Sequence, residues 1–319
     1  MNETEIIKKY LVPLSKNFKN SFFFKDDGAL LQNFLNKEYI ISADSFIHGI
    51  HCPLDLKPRS SIIRAVLAAT SDLSAMGAIP YCMLISISFP RKIKNLEIKE
   101  MVKGIKDVSN LTGLKLAGGD LCSYNGPLAY NITVIGKLKK KEILKRSSAN
   151  VGDLLLFTGA IGEATIGLDC LLKSKNVNHL NIREKKIAIK RFLNPPFLSK
   201  FSNASRRHIK ACIDISDGLI NDVGKLAESS GCGVRINSKL IPLSNIIKKV
   251  LLKNNYSLIK LLSAGDDYEL AFSINQNKLK IIKKLALKHN IKVTPIGEFI
   301  ENKGVYLDDK KVDGGYSHF

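Results

Sequence analysis

"CIDISDGLIND", residues 212–222, decides how the second half of the chain reads. Cys212–Ile215 is an apolar run of the kind that makes a buried strand. It passes through Ser-Asp-Gly into a helical pattern, and strand into helix through such a turn reads as an α/β unit. Yet the stretch carries Asp214, Asp217 and Asp222, in a chain of net charge +20. Asp222 follows Asn221 one turn into the helix and reads as an exposed helix residue. Ser216 reads as an N-cap and Asp217 as an acid in the first helical turn. Capping explains the shape of the turn and leaves Asp214 unexplained.

The rest of the chain alternates in the same way. "YIISADSF" (39–46) reads as a strand ending in polar residues, and "SSIIRAVLAATSDLSAMG" (60–77) as a helix stopped by Gly77 and Pro80. "PYCMLISISFP" (80–90) reads as a strand bracketed by prolines, and 95–113 as an amphipathic helix ending at a glycine. "LKLAGGD" and "LAYNITVIGKL" read as strands. Charged, turn-rich 139–153 marks a domain joint, giving domains 1–146 and 147–319. Beyond it lie a strand with glycine turns (153–168), a Lys-rich helical region and the "NPPF" turn (194–197). A strand after "SGCG", a loop into a strand at "SAGDDYELAFSI", a helix near 277–289, a strand near 291–299 and a short tail follow. The class is α/β (α+β) in two domains.

The bulk numbers agree. With 319 residues and 45% hydrophobic composition the chain is long enough for about two cores. No apolar run approaches the roughly 18 residues of a membrane span, and "MNETEIIKKYLVPL" lacks the apolar core of a signal peptide. Six dispersed cysteines without C-x-x-C read as reduced thiols of a cytoplasmic protein, with Cys82 and Cys212 as small core residues. The pI near 9.6 admits nucleic-acid binding. The lysines are scattered, however, with no zinc-finger spacing and no aromatic RNA platform, and anionic small molecules fit the charge equally well.

The acids sort by surroundings. Most sit among lysines and read as solvated surface. A smaller set sits against apolar or glycine residues: Asp26 and Asp27 in "FFFKDDGALL", Asp44 in "IISADSF", Asp72 in "AATSDLSAMG", Asp120 in "LAGGDL", and Asp214 with Asp217. On a helix Asp72 shares its line with Ala65, Ala68, Ala69 and Met76, so it faces protein and needs a cation or hydrogen-bond donors. A buried hydrogen-bonded acid or an interface position would fit as well. Asp44, Asp120 and Asp214 each come at or near the end of an apolar strand, where sheet proteins gather ligands. The plainer readings are a turn former for Asp44 and a glycine turn for Asp120. Five or six such acids without a Cys/His cluster suggest a hard cation, Mg²⁺ or Mn²⁺, rather than zinc. Magnesium suggests phosphates, yet no Walker, Rossmann or protein-kinase signature occurs. "GAIGEATIG" alone reads as a tight turn and helix packing.

The stretches "DDGALL", "SADSFIHGIHC", "SDLSAMGAIP", "GGDL", "KRSSANVGDLLLFTG", "IDISDGL", "GDDYEL" and "GGYSHF" run in order through nearly the whole chain. Together they resemble the thiamine-monophosphate kinases of the aminoimidazole-ribonucleotide-synthetase-like superfamily. The resemblance implies a two-domain fold, its N-terminal mixed sheet with helices forming a homodimer interface, followed by a C-terminal α/β domain. It implies ATP-dependent phosphorylation of thiamine phosphate with several Mg²⁺ ions per site. It further implies a metal-binding set of Asp27, Ser42, Asp44, Asp72, Asp120, Asp214 and Asp217. Gly119, Asp120, Arg146 and Ser216 would contact the nucleotide; His51, Glu269 and Tyr316 would contact thiamine phosphate. Taken alone, His51 reads as an ordinary loop histidine and Tyr316 as a packing aromatic. The chain departs from the pattern at Lys25, Ala43, "GIHC", Val102 (in place of an aromatic near the adenine) and Tyr316, but no carboxylate is lost.

Such chemistry needs no general base, so no catalytic side chain is assigned. The accepting phosphate has a second pKa of about 6 and is already anionic. The obstacle is repulsion between polyanions, which positioning and charge neutralisation overcome. Direct in-line transfer is the expectation. Other ATP-using superfamily members are alternatives: an aminoimidazole ribonucleotide synthetase in outline, a selenophosphate synthetase (which wants an early reactive Cys, where Cys52 is the first here), or the hydrogenase-maturation relative (which wants a C-terminal Cys). From other classes come a basic nucleic-acid-binding protein and a catalytically dead homologue.

Overall fold

The N-terminal sheet is built from β1 (Ala29–Leu31), β2 (Lys37–Ile47), β3 (Ile79–Pro90), β4 (Lys115–Tyr124) and β5 (Ala129–Lys139). Their order is β1-β2-β5-β3-β4, with β3 and β4 parallel and the other pairs antiparallel. The structure, a computed structural model, describes residues 12, 22, 25–27, 29–31, 37–139, 142–253 and 256–315. Most of the 1–14 stretch and Tyr316 lie outside these residues.

Side-chain alternation gives the sheet two unlike faces. Ile40, Phe46, Tyr130, Ile132, Val134, Met83, Ile85 and Ile87 point inward and are buried. Ser42 and Asp44 lie on the same inward face, opposite Val134 and Ile132. Helix α1 (Pro58–Ala75) covers that face, with α2 (Asn95–Thr112) packed on α1. Pro58 starts α1 at the position where a missing N–H costs nothing. Gly77, at φ 74°, ends it. Helix α1 is buried on nearly every side because the second domain covers what the sheet does not. Its Ala75 packs in one core with Leu156, Phe201, Cys212 and Phe272.

The second sheet comprises β6 (Leu154–Thr158), β7 (Ala211–Asp214), β8 (Gly233–Ile236), β9 (Leu270–Ile274), β10 (Val293–Ile300), β11 (Gly304–Leu307) and β12 (Lys310–Val312). Its order is β12-β11-β8-β10-β6-β9-β7, antiparallel except for β8 with β11. The end expected as a short tail thus supplies two more strands. Between them run α3 (Glu163–Leu171), α4 (Ile182–Leu193), α5 (Ser199–Ser205), α6 (Leu219–Ser229), α7 (Asn245–Leu252), α8 (Leu258–Leu262) and α9 (Leu279–Lys288). Helix α6 packs on β7, β8 and β11. Phe201 of α5 and Ile282 of α9 share a core cluster with Cys212 of β7 and Phe272 of β9. Expected elements in both halves appear within a few residues of the expected ends. All six cysteines are free; Cys212 is buried and Cys82 half-buried. No helix of the described residues is long and apolar enough to cross a membrane.

Candidate active site

Three separate segments deliver acids to one place. Asp72 comes from the last turn of α1, Asp214 from the end of β7, and Asp27 from the segment before β1. Their carboxylate oxygens lie within 4.8 Å of one another. Neighbouring side chains hold them there. The Ser42 hydroxyl, on the inward face of β2, donates to Asp72 Oδ2. Ser71, beside Asp72, donates to Asp214 Oδ2 at 2.5 Å and so ties α1 to β7. Arg146 grips Asp27 with two guanidinium nitrogens, Nε at 3.1 Å from Oδ2 and NH2 on Oδ1. Its backbone N–H donates to Asp26 at 2.9 Å. Arg146 is itself placed because Lys145 bridges to Ala211 and accepts from the N–H of Cys212 at 3.0 Å.

Burial and mutual repulsion make ionisation of this cluster costly. Burial, then the charges of Asp44, Asp214 and Asp27, hold the Asp72 carboxyl well above the usual carboxylate range. Burial and then Asp27 do the same to Asp214. Asp44 is pushed up to about 6, again by burial first and Asp27 second. Burial works against the Arg146 charge, but Asp27, Asp214 and Asp72 outweigh it and hold the guanidinium pKa above its ordinary value. Carboxylates crowded like this either keep protons or share a cation. The donors are carboxylate and hydroxyl oxygens, a set that fits a hard divalent ion such as Mg²⁺.

The "ISDGL" turn corrects the capping assignment. Helix α6 starts after Gly218, at φ 107°, so Ser216 is not its N-cap and Asp217 is not in its first turn. Asp222 is not exposed: it is 1% accessible and caps from within. Its Oδ2 accepts from the backbone N–H groups of Ser216 (3.0 Å) and Asp217 (2.9 Å), and its Oδ1 accepts from Lys225 (2.8 Å). Lys225 also reaches Asp217 Oδ2 at 2.6 Å. Asp217 thus sits at the half-exposed rim, three residues beyond Asp214.

Asp120 is not brought to the cluster within one chain. Nor does it end a strand, since β4 continues through it to Tyr124. It aligns with Ser86, Asn131 and Ser45 on the outward face, whereas Asp44 points inward. Gly119 stands in the same row as Asp44 but three strands away, about 14 Å at normal strand spacing. A Cβ on Gly119 would lie 1.9 Å from the Ile85 carbonyl oxygen, so β4 approaches β3 here only as glycine.

Of the expected thiamine-phosphate contacts, Glu269 lies beside the end of β7, its carbonyl accepting from the Ile215 N–H at 2.8 Å. His51 stacks on Phe46, with ring centroids 5.6 Å apart, and its Nδ1 accepts from the Ile47 N–H at 2.9 Å. Glu269 is buried, paired with Arg191 at 2.5 Å and accepting from Thr158. Tyr316 lies outside the described residues. Val102 is an exposed residue of α2. Sequence reasoning missed Ser71 and Lys225. Ser71 had a signal, a hydroxyl beside the inward-facing Asp72.

An acid cluster assembled from two differently built α/β domains defines a class. The AIR synthase related protein family matches in both its parts, the N-terminal domain over residues 25–138 and the C-terminal domain over 150–310. Within that class the chain belongs to the thiamine-monophosphate kinase family. It is 35% identical to the thiamine-monophosphate kinase of Buchnera aphidicola subsp. Acyrthosiphon pisum, covering 99% of this chain and 98% of that protein. It is 32% identical to that of Escherichia coli K12, over 92% of this chain and 90% of the other. Among solved structures it is similar to "AaThiL complexed with AMPPCP and TMP", with a TM-score of 0.86 and 26% identity over 100% of this chain and 99% of that one.

Proposed function

We propose that this chain transfers the γ-phosphoryl group of ATP onto thiamine phosphate, yielding thiamine diphosphate and ADP, the last step in making that cofactor. The observation that carries this reading is the convergence of Asp27, Asp72 and Asp214 within 4.8 Å. The Buchnera and Escherichia coli relatives carry the kinase name, and the similar solved structure holds AMPPCP and TMP. Asp27, Ser42, Asp44, Asp72, Asp214 and Asp217 would hold Mg²⁺. When bound, such ions neutralise charge on the attacking, transferred and leaving oxygens.

The chain's own groups do the rest. Arg146, bound to Asp27 and held against β7, offers a fixed positive charge to nucleotide phosphates. Gly119 and Ser216 offer backbone close to the nucleotide. Ser42 and Ser71 fix the carboxylates that would otherwise repel one another. His51, Glu269 and Tyr316 are proposed contacts of thiamine phosphate; for Glu269 this requires exchange with Arg191. With no nucleophile and base paired at the acid cluster among the described residues, the transfer is direct and leaves no phosphoenzyme.

The outward face of the N-terminal sheet, with Leu84 exposed on it and bounded by the exposed edge strand β4, is the proposed homodimer surface. Pairing there would put Asp120 against a second copy. The domain joint is placed at 146/147, and the free thiols favour the cytoplasm. Thiamine phosphate, unphosphorylated thiamine and aminoimidazole precursors, each given with ATP and Mg²⁺, test the reading. Turnover of thiamine phosphate alone supports it, and turnover only of the aminoimidazole compounds overturns it.

A further inference from the structure

Arg64, two turns before Asp72 on α1, is fully buried. Its NH1 donates to the Phe192 carbonyl at the C-terminal end of α4, where a cation also meets the negative end of the helix dipole. Its NH2 pairs with Asp266 Oδ1 at 2.5 Å. The guanidinium lies 3.7 Å over the Phe192 ring, and its Nε has no partner among the described residues. A charge this buried is costly unless held by its partners. Here the partners all belong to the other domain.

Asp266 lies in a second unusual feature. It and Tyr268 adopt left-handed backbone, at φ 74° and 49°, although neither is glycine. Such conformations persist only where surroundings impose them. Asp266 N–H donates to Ser216 O at 2.9 Å, and Tyr268 N–H to Ile215 O at 2.8 Å. A Cβ on Gly265 would lie 2.0 Å from Ser216 O, so the loop sits backbone to backbone on the turn between Asp214 and Asp217. Tyr268 Oη adds a hydrogen bond to Asp266 at 3.3 Å.

We propose that the Arg64–Asp266 pair is a latch that positions the Asp214–Asp217 turn against Asp72 across the domain boundary. One end of the latch is on the helix carrying Asp72. The other end is on the loop that carries the turn. Arg64 and Asp266 are therefore positioning residues for the metal-binding acids and touch neither metal nor substrate. This rests on the reading of those acids as cation ligands.

The test compares wild type with Arg64→Lys and Asp266→Asn, full length, using Mn²⁺ as probe and the electron paramagnetic resonance of free Mn²⁺ as readout. Both variants are expected to fold cooperatively and to bind Mn²⁺ about tenfold more weakly or worse, as loss of supports behind metal ligands does elsewhere. Turnover should need correspondingly more Mg²⁺, with kcat at saturation within about threefold of wild type. Mn²⁺ affinity equal to wild type in folded variants, with only the thermal midpoint lowered, overturns the latch. If Arg64→Lys does not fold, Asp266→Asn decides alone, because asparagine keeps the shape but removes the charge that pairs with the Arg64 guanidinium. Wild type inactive on thiamine phosphate would defeat the functional reading, while the Mn²⁺ comparison would still decide the latch.

Discussion

At the scale of the residue, the candidate site is made of carboxylates whose neighbours make ionisation costly. Asp72→Asn and Asp217→Asn should each lower Mg²⁺-dependent turnover by about 100-fold or more, since even indirect supports of metal ligands are worth 10- to 100-fold. Ser71→Ala, which frees Asp214 from α1, should raise the Mg²⁺ requirement by about tenfold. Near-normal kinetics in all three would show that these acids are structural. A pH dependence follows from Asp44, pushed up to about 6, and from Asp72 and Asp214, both held well above the usual carboxylate range by burial first. The folded state favours their protonated forms. The metal-free protein is therefore favoured at low pH, and loses that gain as pH rises from about 4, where free aspartate titrates, through about 6 and above. Mg²⁺ needs the same oxygens deprotonated. Its upward shift of the thermal midpoint should thus be small near about pH 5 and grow towards about pH 7.5. An equal shift at both would contradict the cluster as the binding site. That Asp72 faces protein was legible in sequence, because its helical line is small and apolar. The burial of Asp222 was not legible: its carboxylate accepts from backbone N–H groups of a turn, which no periodicity reveals.

At the scale of the element, the turn from β7 into α6 depends on Asp222 more than on Ser216. Asp222→Ala would leave the N–H groups of Ser216 and Asp217 without their acceptor and the Lys225 ammonium with Asp217 alone. The expected loss is about 3 kcal/mol, read as a lower urea midpoint. A loss below about 1 kcal/mol would mean that water or Asp217 replaces it. Strands and helices with strong period, such as β3 and α2, could be placed from the sequence almost residue by residue. Strand β4 could not be placed as well. Gly118 and Gly119 looked like a turn before Asp120, but parallel pairing with β3 carries the strand through them to Tyr124. The pairing is tertiary, and it moves Asp120 from a strand end to an exposed face. The closing strands β11 and β12 were missed for a similar reason. They are short, and β11 is fixed by pairing with β8 rather than by its own pattern.

At the scale of the whole molecule, two domains share cores as well as a site. Helix α1 is buried all round because both domains cover it, and Arg64 is buried with it. In sequence Arg64 is one cation among 49, and nothing local separates it from the solvated ones. The bare outward face of the first sheet predicts a particle near twice 35.3 kDa in light scattering. Leu84→Lys, which places a charge on that face, should shift it towards the single-chain mass. A single-chain mass for the wild type would remove the dimer from the account. The central claim is that acids from both domains hold the ions that let one phosphate attack another. It is tested most directly by counting thiamine diphosphate formed from ATP and thiamine phosphate, wild type beside folded Asp72→Asn, across a range of Mg²⁺. Mg²⁺-dependent product is expected from the wild type and almost none from the variant at the same concentrations. Equal product from both, or no dependence on Mg²⁺, would contradict it.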